Sequence, residues 1–317
     1  MDIIKKNDIS EIVEGLDLIP MIKEGFIAYS EGRSVVPPVG ELSFMEPPGD
    51  VHIKYGYIAG EKYYVIKIAS GFYENEKLGL PTGAGLMLLF AQETGEIVVF
   101  LADDAYLTDV RTAVAGAICA EQFSNPVQCI GVIGTGLQAR LQVQYLRPIT
   151  ECRDVIVWGR NIEKMEKYKS DMEDLGFDVT LAQSPQYLAE KCNLIITTTA
   201  STKPILKTED IQPETHITAM GSDTPTKQEL DSSILAKADL VVADSISQCV
   251  ERGEISHALK DGKLAKNDIV ELGHVLNGQN PGRTSSEQLT VADLTGVAVQ
   301  DIQIATAVYE SYLEKQS

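Results

Sequence analysis

A glycine-containing stretch at residues 130–139, IGVIGTGLQA, has the spacing of a strand, a GxGxxA turn and the start of a helix. Gly134 would permit the tight turn, Gly136 would let the backbone approach a pyrophosphate, and Ala139 would let helix and strand pack closely. The helix N-terminus that follows offers N–H groups and a partial positive charge to phosphates. The stretch therefore predicts dinucleotide binding, although small residues at turns also occur for packing reasons alone.

The next strand-like stretch, residues 155–158, is followed by Gly159, Arg160 and Asn161, and Arg160 lies 26 residues after Gly134. An acidic residue at the end of this strand would accept hydrogen bonds from the ribose hydroxyls of NAD and would repel the extra phosphate of NADP. This chain has a guanidinium there instead. The pattern favours NADP(H) and leaves NAD(H) open, and a solvated surface arginine is the structural alternative.

Four charged residues have types and positions that suit an amino-acid substrate. Arg111 can hold a carboxylate through two hydrogen bonds without changing its protonation state. Lys54 and Lys67 lie 13 residues apart in neighbouring strand-like segments, so either can point into a cleft, although an isolated lysine more commonly lies on a solvated strand face. Asp223 follows a predicted strand at the edge where doubly wound folds bind ligands. If burial raises its pKa toward neutrality it can transfer a proton, and helix capping or a solvated loop position is its structural alternative.

The second part of the chain alternates between strand and helix patterns, which predicts a parallel, doubly wound sheet. Its predicted strands are residues 127–133, 155–158, 179–182, 194–198, 216–220 and 240–243, and its first helices are residues 137–146 and 162–175. The first third predicts one amphipathic helix over residues 9–29 and then strands at 52–59, 63–69, 85–90 and 97–101. A helix over residues 108–123 leads out of that sheet. A long helical pattern ends the chain and is expected to bury its apolar face on the first domain.

The composition is that of a soluble globular protein. The chain has 317 residues, 44% hydrophobic and 23% charged, with a formal net charge of −19. A negative field of this size disfavours nucleic-acid backbones and anionic membrane surfaces, so neither is expected as a partner. No run of about 18 apolar residues predicts a membrane span. Five cysteines without paired or metal-ligand spacing favour a reducing, cytoplasmic location, and four scattered histidines give no reason to expect a metal site.

Five blocks in this order resemble the ornithine cyclodeaminase and mu-crystallin family. They are VIKIASG at 65–71, LTDVRTA at 107–113, the GxGxxA turn, MGSD at 220–223 with Lys227 and Glu229, and ERGEI at 251–255. Together with the strand pattern, the resemblance implies an α/β fold: a doubly wound parallel Rossmann sheet over residues 121–292 and a smaller α+β domain formed by residues 1–120 and 293–317. The smaller domain is expected to bind substrate and to pair the subunits of a homodimer.

The resemblance also implies roles for individual residues. Lys67 matches the family's substrate lysine, Arg111 the arginine between substrate carboxylate and cofactor, and Asp223 the catalytic acid. Lys67 and Asp223 are therefore the expected catalytic residues, and the expected substrate contacts are Lys54, Lys67, Arg111 and Thr295. The expected cofactor contacts are Thr82, Arg111, Thr112, Gly134, Gly136, Leu137, Gln138, Gly159, Arg160, Asn161, Thr199, Met220, Gly221, Ser222 and Lys227.

Two departures from the family pattern bear on the reaction. Cyclodeaminases hold a diamino acid partly through an arginine and a glutamate of the early strands, whereas Arg33 and Glu41 are offset from those positions here. The block ADLTG at 292–296 replaces the Asp-Ser that many relatives have before the glycine. With Arg160, these features favour an NAD(P)H-dependent reductase of small cyclic or acyclic imino acids such as pyrroline-2-carboxylate, equivalently an amino-acid dehydrogenase in reverse. The alternatives are an ornithine cyclodeaminase with recycled NAD and a non-enzymatic protein that binds NADPH and a ligand, like mu-crystallin.

Overall fold

The computed structural model describes residues 1–316, which form two compact units. The first unit comprises Met1–Arg111 and the residues from Val297 onward, and the second comprises Thr112–Gly296. The sequence placed the boundaries after residues 120 and 292. The first division falls earlier, inside the helix that spans Tyr106–Phe123, and the second falls later, after Gly296.

The strands divide between the two units. Those of the first unit are β1 (Asp2–Lys5), β2 (Ser34–Val35), β3 (Gly40–Met45), β4 (Pro48–Ile58), β5 (Tyr63–Gly71), β6 (Gly83–Ala91) and β7 (Ile97–Ala102). Those of the second unit are β8 (Ile130–Ile133), β9 (Asp154–Trp158), β10 (Asp178–Leu181), β11 (Leu194–Thr197), β12 (Thr202–Leu206), β13 (His216–Ala219), β14 (Gln228–Leu230), β15 (Leu240–Ala243), β16 (Ile269–Glu271) and β17 (Thr290–Asp293).

The α-helices are α1 (Lys6–Val13), α2 (Leu18–Ser30), α3 (Tyr106–Phe123), α4 (Leu137–Tyr145), α5 (Ile162–Glu173), α6 (Pro185–Lys191), α7 (Ser232–Lys237), α8 (Ile246–Cys249), α9 (Gly253–Lys260), α10 (Leu272–Leu276) and α11 (Ala298–Gln316). Helices α1, α2, α11 and the beginning of α3 belong to the first unit. Short 3₁₀ helices occur at Tyr73–Leu78, Thr208–Asp210 and Lys266–Asp268.

The first unit is built on one mixed sheet with the order β1-β7-β6-β5-β4-β2, and β3 pairs with β4. The β1–β7 pair is parallel and the other pairs are antiparallel. Helix α11 packs on α2 and on strands β4 and β5. Gly25 of α2 permits this close approach, because a Cβ there would lie 3.2 Å from the carbonyl oxygen of Val299. The α+β character expected for this part of the chain is present.

The predicted single helix over residues 9–29 is wrong: the structure has two helices, α1 and α2, separated by a turn. Pro20 lies in the first turn of α2, where its missing N–H is tolerated, but its ring would clash with the preceding turn of a continuous helix. The backbone N–H groups of Gly15 and Leu16 instead close a tight turn onto Ile12 and Val13. Strand β1, which the sequence analysis did not predict, precedes α1.

The second unit contains an eight-stranded sheet with the order β10-β9-β8-β11-β13-β17-β15-β16, and every pair in it is parallel. The first five strands follow the 3-2-1-4-5 order of a Rossmann fold, so the prediction of a doubly wound parallel sheet is confirmed. Strand β8 begins at Ile130 rather than at residue 127, because the N–H groups of Gln128 and Cys129 donate to the Asn193 side chain instead of a neighbouring strand.

Candidate functional site

The first unit contains a buried cluster in which one carboxylate holds two cations. Asp301 of α11 accepts hydrogen bonds on Oδ1 from Arg111 Nε at 3.0 Å and from Lys67 Nζ at 3.2 Å, and its Oδ2 lies 3.1 Å from the same Nζ. Gln300 Oε1 accepts from Arg111 Nη1 at 2.7 Å. Lys67 and Asp301 are each 1% exposed and Arg111 is 5% exposed. The solvated-face alternative for Lys67 is therefore excluded.

Lys54 adds a third cation to this cluster. It is the direct cross-strand partner of Lys67 in the β4–β5 pair, so the two side chains are on the same face of the sheet. Burial lowers the pKa of Lys67 to about 7; Asp301 opposes that effect, while Arg111 and Lys54 add to it. For Asp301, burial acts to raise the pKa, but the charges of Lys67, Arg111 and Lys54 outweigh it and the pKa is lowered. A lysine that titrates near neutrality is suited to proton exchange and to polarising a substrate nitrogen.

A strained turn fixes the beginning of α3 and hence the position of Arg111. Asp104 and Ala105 have positive φ angles of 51° and 67°, and Ala105 packs where Gly85 leaves room. Buried Asp103 caps the helix by accepting a hydrogen bond on Oδ2 from the N–H of Leu107 at 2.8 Å. Burial raises the pKa of Asp103 to about 6, although three backbone hydrogen bonds and the charge of Lys67 favour its ionised form. Backbone strain of this kind persists where surrounding packing fixes it, often near functional sites.

Thr82, the remaining predicted residue of the first unit, lies just before β6 and is partly buried. Its carbonyl oxygen accepts from the N–H of Phe72 at 2.8 Å. This contact closes the connection between β5 and β6 and leaves the role of the Thr82 hydroxyl toward a cofactor as a prediction.

In the second unit, most of the predicted cofactor residues lie at the carboxyl ends of four adjacent strands, β9, β8, β11 and β13. Gly134 follows β8 with φ of 123°, a conformation that favours glycine, and a Cβ there would overlap the Thr198 side chain. Its N–H donates to the carbonyl of Trp158 at 2.9 Å, which ties the turn to β9. The strand–turn–helix context that the GxGxxA motif requires is therefore present.

The N-terminus of α4 has the form of an anion-binding cradle. Its N-cap is Gly136, which has no capping side chain, and no atom of residues 1–316 beyond its own chain neighbours lies within 4 Å of the position of a Cβ there. Arg140 donates to the carbonyls of Thr135 and Gly136 at 2.6 and 3.0 Å and so holds the turn. Exposed backbone N–H groups at a helix start bind phosphates. The turn therefore fits the pyrophosphate of a dinucleotide, with Leu137 and Gln138 in the first helical turn.

At the end of β9, Gly159 allows the turn to approach, because a Cβ there would lie 2.8 Å from Thr135 Cγ2. Arg160 is exposed, which fits both a contact with the phosphate of a bound cofactor and a solvated surface arginine. Asn161 has a local role as N-cap of α5, since its Oδ1 accepts from the N–H of Lys164 at 3.0 Å. That cap competes with the predicted cofactor contact of the Asn161 side chain.

A buried carboxylate holds the two loops that follow β11 and β13. Glu229 Oε1 accepts from the N–H of Thr199 at 2.5 Å and Oε2 accepts from the N–H of Gly221 at 3.0 Å. Burial raises the pKa of Glu229 to about 7, and its hydrogen bonds to Thr197, Thr199 and Gly221 oppose that rise. Glu229 thereby positions two predicted cofactor residues, while Met220 is held by its N–H on the Thr197 carbonyl at 3.0 Å.

Asp223 lies in the loop after β13 and forms an ion pair with Lys227, with 2.7 Å between Oδ1 and Nζ. The side chain of Asp223 is 40% exposed, so it is not the deeply buried acid that the sequence analysis envisaged. Ser222 Oγ donates to the carbonyl of Lys227 at 2.6 Å, and His257 Nε2 lies 2.9 Å from the same oxygen. These contacts fix the loop around an aspartate at the sheet edge where Rossmann folds bind ligands.

Thr295 is buried beyond the end of β17, in a polar network. Its Oγ1 donates to Asp244 at 3.2 Å and accepts from Gln248 Nε2 at 2.8 Å. Thr112, the first residue of the second unit, uses its carbonyl to accept from Gln142 at 3.0 Å. Substrate contact by Thr295 and cofactor contact by Thr112 stay predictions.

Sequence reasoning missed Asp301, Gln300 and Asp103, and it quoted Glu229 without a role. A signal for the first two exists in hindsight. Gln300 and Asp301 interrupt an apolar stretch on α11 that is buried on all sides, and buried polar residues require partners. Among residues 1–316, no cluster of three or more His, Cys, Asp or Glu side chains is arranged to hold a metal ion. In the same residues, no helix has the length and apolar character needed to cross a membrane.

A 3-2-1-4-5 parallel sheet with a GxGxxA turn, an uncapped helix start and a row of loops at its carboxyl edge defines a dinucleotide-binding α/β protein. The chain belongs to the ornithine cyclodeaminase/mu-crystallin family, whose model matches residues 1–316. The family resemblance inferred from the sequence blocks is confirmed.

Three relatives illustrate the range of this family. A Sinorhizobium fredii protein described as an uncharacterised cyclodeaminase is 36% identical over 322 residues, covering 100% of this chain and 97% of its own length. The alanine dehydrogenase of Archaeoglobus fulgidus is 34% identical over 315 residues, covering 99% of this chain and 95% of its own. The iminosuccinate reductase of Paracoccus denitrificans is 32% identical over 261 residues, covering 81% of this chain and 80% of its own.

Two solved structures have the same fold over the whole chain. An archaeal alanine dehydrogenase dimer with bound NAD superimposes with a TM-score of 0.91 at 31% identity, covering 100% of this chain and 97% of that chain. The iminosuccinate reductase of Paracoccus denitrificans in complex with NAD⁺ gives a TM-score of 0.87 at 26% identity, with 100% and 97% covered. Both of these related proteins hold a nicotinamide dinucleotide.

Proposed function

We propose that the protein is a nicotinamide-dependent oxidoreductase that reduces the C=N bond of small imino acids and, in reverse, oxidises the corresponding amino acids. The observation that carries the proposal is the buried pair of cations in the first unit. Lys67 and Arg111 both donate to Asp301, and the guanidinium of Arg111 is fixed further by Gln300. A buried guanidinium and ammonium held side by side suit a substrate that carries a carboxylate next to a nitrogen, as an imino acid does.

Arg111 is assigned to that carboxylate. Among residues 1–316, the hydrogen-bond partners of its guanidinium are Asp301 on Nε and Gln300 on Nη1. The guanidinium N–H groups that these two contacts leave available include both on Nη2, and such a planar pair of donors suits a carboxylate. Because the guanidinium is already oriented by two buried acceptors, it loses little freedom on binding substrate.

Lys67 of the first unit and Asp223 of the second are each assigned a part in handling the proton of the reaction. Reduction of an imine adds a hydride to carbon and a proton to nitrogen. Lys67 is assigned to orient and polarise the nitrogen, because an ammonium group that titrates near pH 7 can donate a hydrogen bond or a proton. Asp223 is assigned to hold the transferred proton, with Lys227 as its ion-pair partner.

The cofactor that fits the second unit is a nicotinamide dinucleotide, which when bound in reduced form supplies the hydride. The turn at Gly134 and Gly136 with the start of α4 would hold its pyrophosphate, and the loops at Thr199 and Gly221 would border its nicotinamide half. Arg160 is assigned to the 2′-phosphate of NADPH, which makes NADPH the preferred form with NADH also accepted.

A cyclodeaminase is the second candidate function, and the 36% identity to a protein described as a cyclodeaminase favours it. That reaction would form and reduce an imine within one turnover and release ammonia without net cofactor use. Arg33 counts against it: its guanidinium pairs with Glu24 and Glu31 at 2.7 and 2.8 Å and is committed to those two carboxylates rather than to a diamino acid.

The protein is also proposed to form a homodimer through the sheet of the first unit. An apolar groove of about 220 Å³ on this sheet is lined by Val35, Pro37, Tyr55, Gly56, Tyr57, Tyr64 and Ile66. Exposed apolar grooves on sheets are typical of subunit contacts. Light scattering after size-exclusion chromatography tests this, with Tyr57→Lys as the variant expected to yield monomer.

Turnover assays with purified protein separate the candidates. NADPH or NADH is mixed with pyrroline-2-carboxylate, or with pyruvate and an amine, and the nicotinamide absorbance is followed. A reductase lowers that absorbance in proportion to the amino acid formed. A cyclodeaminase releases ammonia from ornithine in the presence of NAD with no net change in absorbance. Binding of NADPH without either reaction would contradict the proposal and favour a ligand-binding protein.

A further inference from the structure

Asp301 lies in the first turn of α11 and is the buried carboxylate on which the cation cluster is assembled. Its Oδ1 accepts from both Arg111 Nε and Lys67 Nζ, so one oxygen sets the relative position of a guanidinium and an ammonium that come from different elements. Gln300, the preceding residue, holds Nη1 of the same guanidinium. Two consecutive residues of α11 therefore fix two sides of the Arg111 fork.

The groups that surround Lys67 make this carboxylate decisive for its charge. Arg111 from α3 and Lys54 from β4 are cations and disfavour a second positive charge nearby. On the neighbouring strand β6, the cross-strand partner of Lys67 is the apolar Met87. Asp103, ahead of α3, has an electrostatic interaction with Lys67 and a pKa raised by burial to about 6. Asp301 is the carboxylate in hydrogen-bond contact, and it opposes the effect of burial on the lysine.

We propose that Asp301 is a positioning residue that orients the Arg111 fork toward the substrate carboxylate and favours the protonated form of Lys67 near neutral pH, so that Lys67 can donate to the substrate nitrogen. This inference rests on the proposed function of the site. In this arrangement Asp301 acts through two other side chains. Its removal therefore changes how the activity depends on pH as well as how large the activity is.

The test is the pH profile of kcat/KM for the imino acid that the wild-type enzyme reduces fastest. Asp301→Asn keeps the side-chain shape and removes the charge, so two cations lose their counter-ion and the pKa of Lys67 falls further. The alkaline limb of the profile is expected to move down by at least one pH unit, which by itself lowers kcat/KM at pH 7 by about fivefold or more. A uniform loss with an unmoved limb would show a merely structural role and overturn the proposal.

Two further variants keep the test decisive. Asp301→Glu retains the charge but displaces it, so the alkaline limb should stay in place while KM rises. This variant can be measured even if Asp301→Asn fails to fold. A displaced limb in Asp301→Glu would overturn the proposal. Glu310→Gln is the control. It removes another carboxylate of α11, one that pairs with Lys62 at 2.8 Å on the surface, and it should leave the pH profile unchanged. A shift in this control equal to that in Asp301→Asn would also overturn it.

A second measurement does not depend on activity. Protein carrying ¹³C at lysine Cε is titrated by NMR, and the signal of Lys67 is assigned from its loss in Lys67→Met. Titration of Lys67 should fall by at least one pH unit in Asp301→Asn. If the wild-type enzyme reduces no imino acid, the proposed function fails while this titration still tests Asp301. Equal titration in wild type and Asp301→Asn would overturn the role of Asp301 alone.

A separate observation concerns two cysteines at the other end of strand β8. Cys129 directly precedes β8 and Cys192 directly follows α6, and their Sγ atoms lie 3.2 Å apart. Cys192 packs over the face of β8 toward which Cys129 points, because a Cβ at Gly131, two residues after Cys129, would lie 3.0 Å from Cys192 Cβ.

The two thiols differ in the way that thiol–disulfide exchange requires. Cys129 is partly exposed, and the hydrogen bond from Cys192 lowers its pKa, although burial and the charge of Asp154 oppose this. Cys192 is buried, and its contact with Cys129 and its burial raise its pKa. An exposed thiol with the lower pKa attacks first, and a neighbouring thiol completes the exchange.

We infer that Cys129 and Cys192 form a site of reversible oxidation by low-molecular-weight disulfides. The Cys129 thiolate attacks one sulfur of the oxidant, forming a mixed disulfide and releasing one thiolate. Cys192 then loses its proton and attacks Cys129 Sγ, which forms the protein disulfide and releases the second thiol. Two cysteines are oxidised and one oxidant disulfide is reduced to two thiols.

Incubation with oxidised glutathione followed by peptide mass spectrometry tests this second proposal. The expected product is a Cys129–Cys192 cross-linked peptide that dithiothreitol reverses. Cys192→Ser should accumulate glutathione on Cys129, and Cys152→Ser, which removes a nearby third thiol, should leave the cross-link unchanged. A cross-link that includes Cys152, or no loss of thiols at all, would overturn the assignment.

Discussion

Replacing Arg111 by alanine tests whether one side chain both binds substrate and stabilises the first unit. Arg111 is 5% exposed and donates to Asp301 at 3.0 Å and to Gln300 at 2.7 Å. Removing one partner of a buried ion pair typically costs about 3–5 kcal/mol, and the cost here is expected at the lower end because Lys67 still pairs with Asp301. Arg111→Ala is therefore expected to lower the free energy of unfolding by a substantial part of its ordinary value of about 5–15 kcal/mol.

The binding effect is separate from the stability effect. A hydrogen bond from a charged donor contributes about 1.5–3 kcal/mol, so a two-bond grip on a carboxylate corresponds to about 3–6 kcal/mol, or ~10²- to 10⁴-fold in kcat/KM. Lysine at this position keeps the charge but cannot present a fork, so Arg111→Lys should recover only part of the loss.

The assay combines urea unfolding with steady-state kinetics at saturating cofactor and at a temperature where the variant is folded. Arg33→Ala is a matched control, because Arg33 also pairs with two carboxylates, Glu24 and Glu31, but its side chain is 43% exposed. Surface pairs contribute about 0–1 kcal/mol, so the control should change neither the unfolding midpoint nor KM substantially. A folded Arg111→Ala protein with unchanged KM would refute the carboxylate grip, and an unchanged midpoint would refute the buried pair.

Three further outcomes are expected. Arg160→Ala should lose about tenfold in NADPH affinity, the low end for a charge-assisted contact because Arg160 is exposed, and a wild type that binds NADH as tightly as NADPH in a fluorescence titration would contradict this. Asp223→Asn should lower kcat by about 10²- to 10⁴-fold while cofactor still binds, whereas Lys67→Ala should lower kcat and raise KM. If Asp223→Asn oxidises the cofactor at full speed in a single turnover, Asp223 takes no part in proton transfer. Glu229 has a native pKa raised by burial from 4.5 to about 7, so the native state retains a proton that the unfolded chain releases, and stability falls as pH rises from about 4.5 to 7. Glu229→Gln should flatten that part of the urea-midpoint profile and weaken cofactor binding, and an unchanged slope would show that Glu229 does not titrate there.

The turn residues of the second unit could be predicted because their signals are local. A GxGxxA pattern between a strand and a helix specifies both the conformation of Gly134 and the open helix start at Gly136 within a few residues. The break between α1 and α2 was missed although its cause, Pro20, is also local. Apolar spacing continues through the turn, and that periodicity outweighed the proline in the prediction.

The roles of the buried carboxylates could not be predicted in this way, because they depend on contacts between distant parts of the chain. Lys67 and Asp301 are 234 residues apart, and nothing near either residue in sequence indicates the other. What the sequence does contain is a group of polar residues, Gln300, Asp301 and Gln303, among the apolar residues in the first part of α11, all of which are buried. A buried aspartate is stable when cations satisfy it, and Lys67 and Arg111, which the sequence analysis assigned only to the substrate, are the cations that satisfy Asp301. Local motifs therefore do not reveal such a pair, because each partner is recognised only when both are known to be buried. The pH profile of Asp301→Asn measures whether the pairing of Asp301 with Lys67 matters for function.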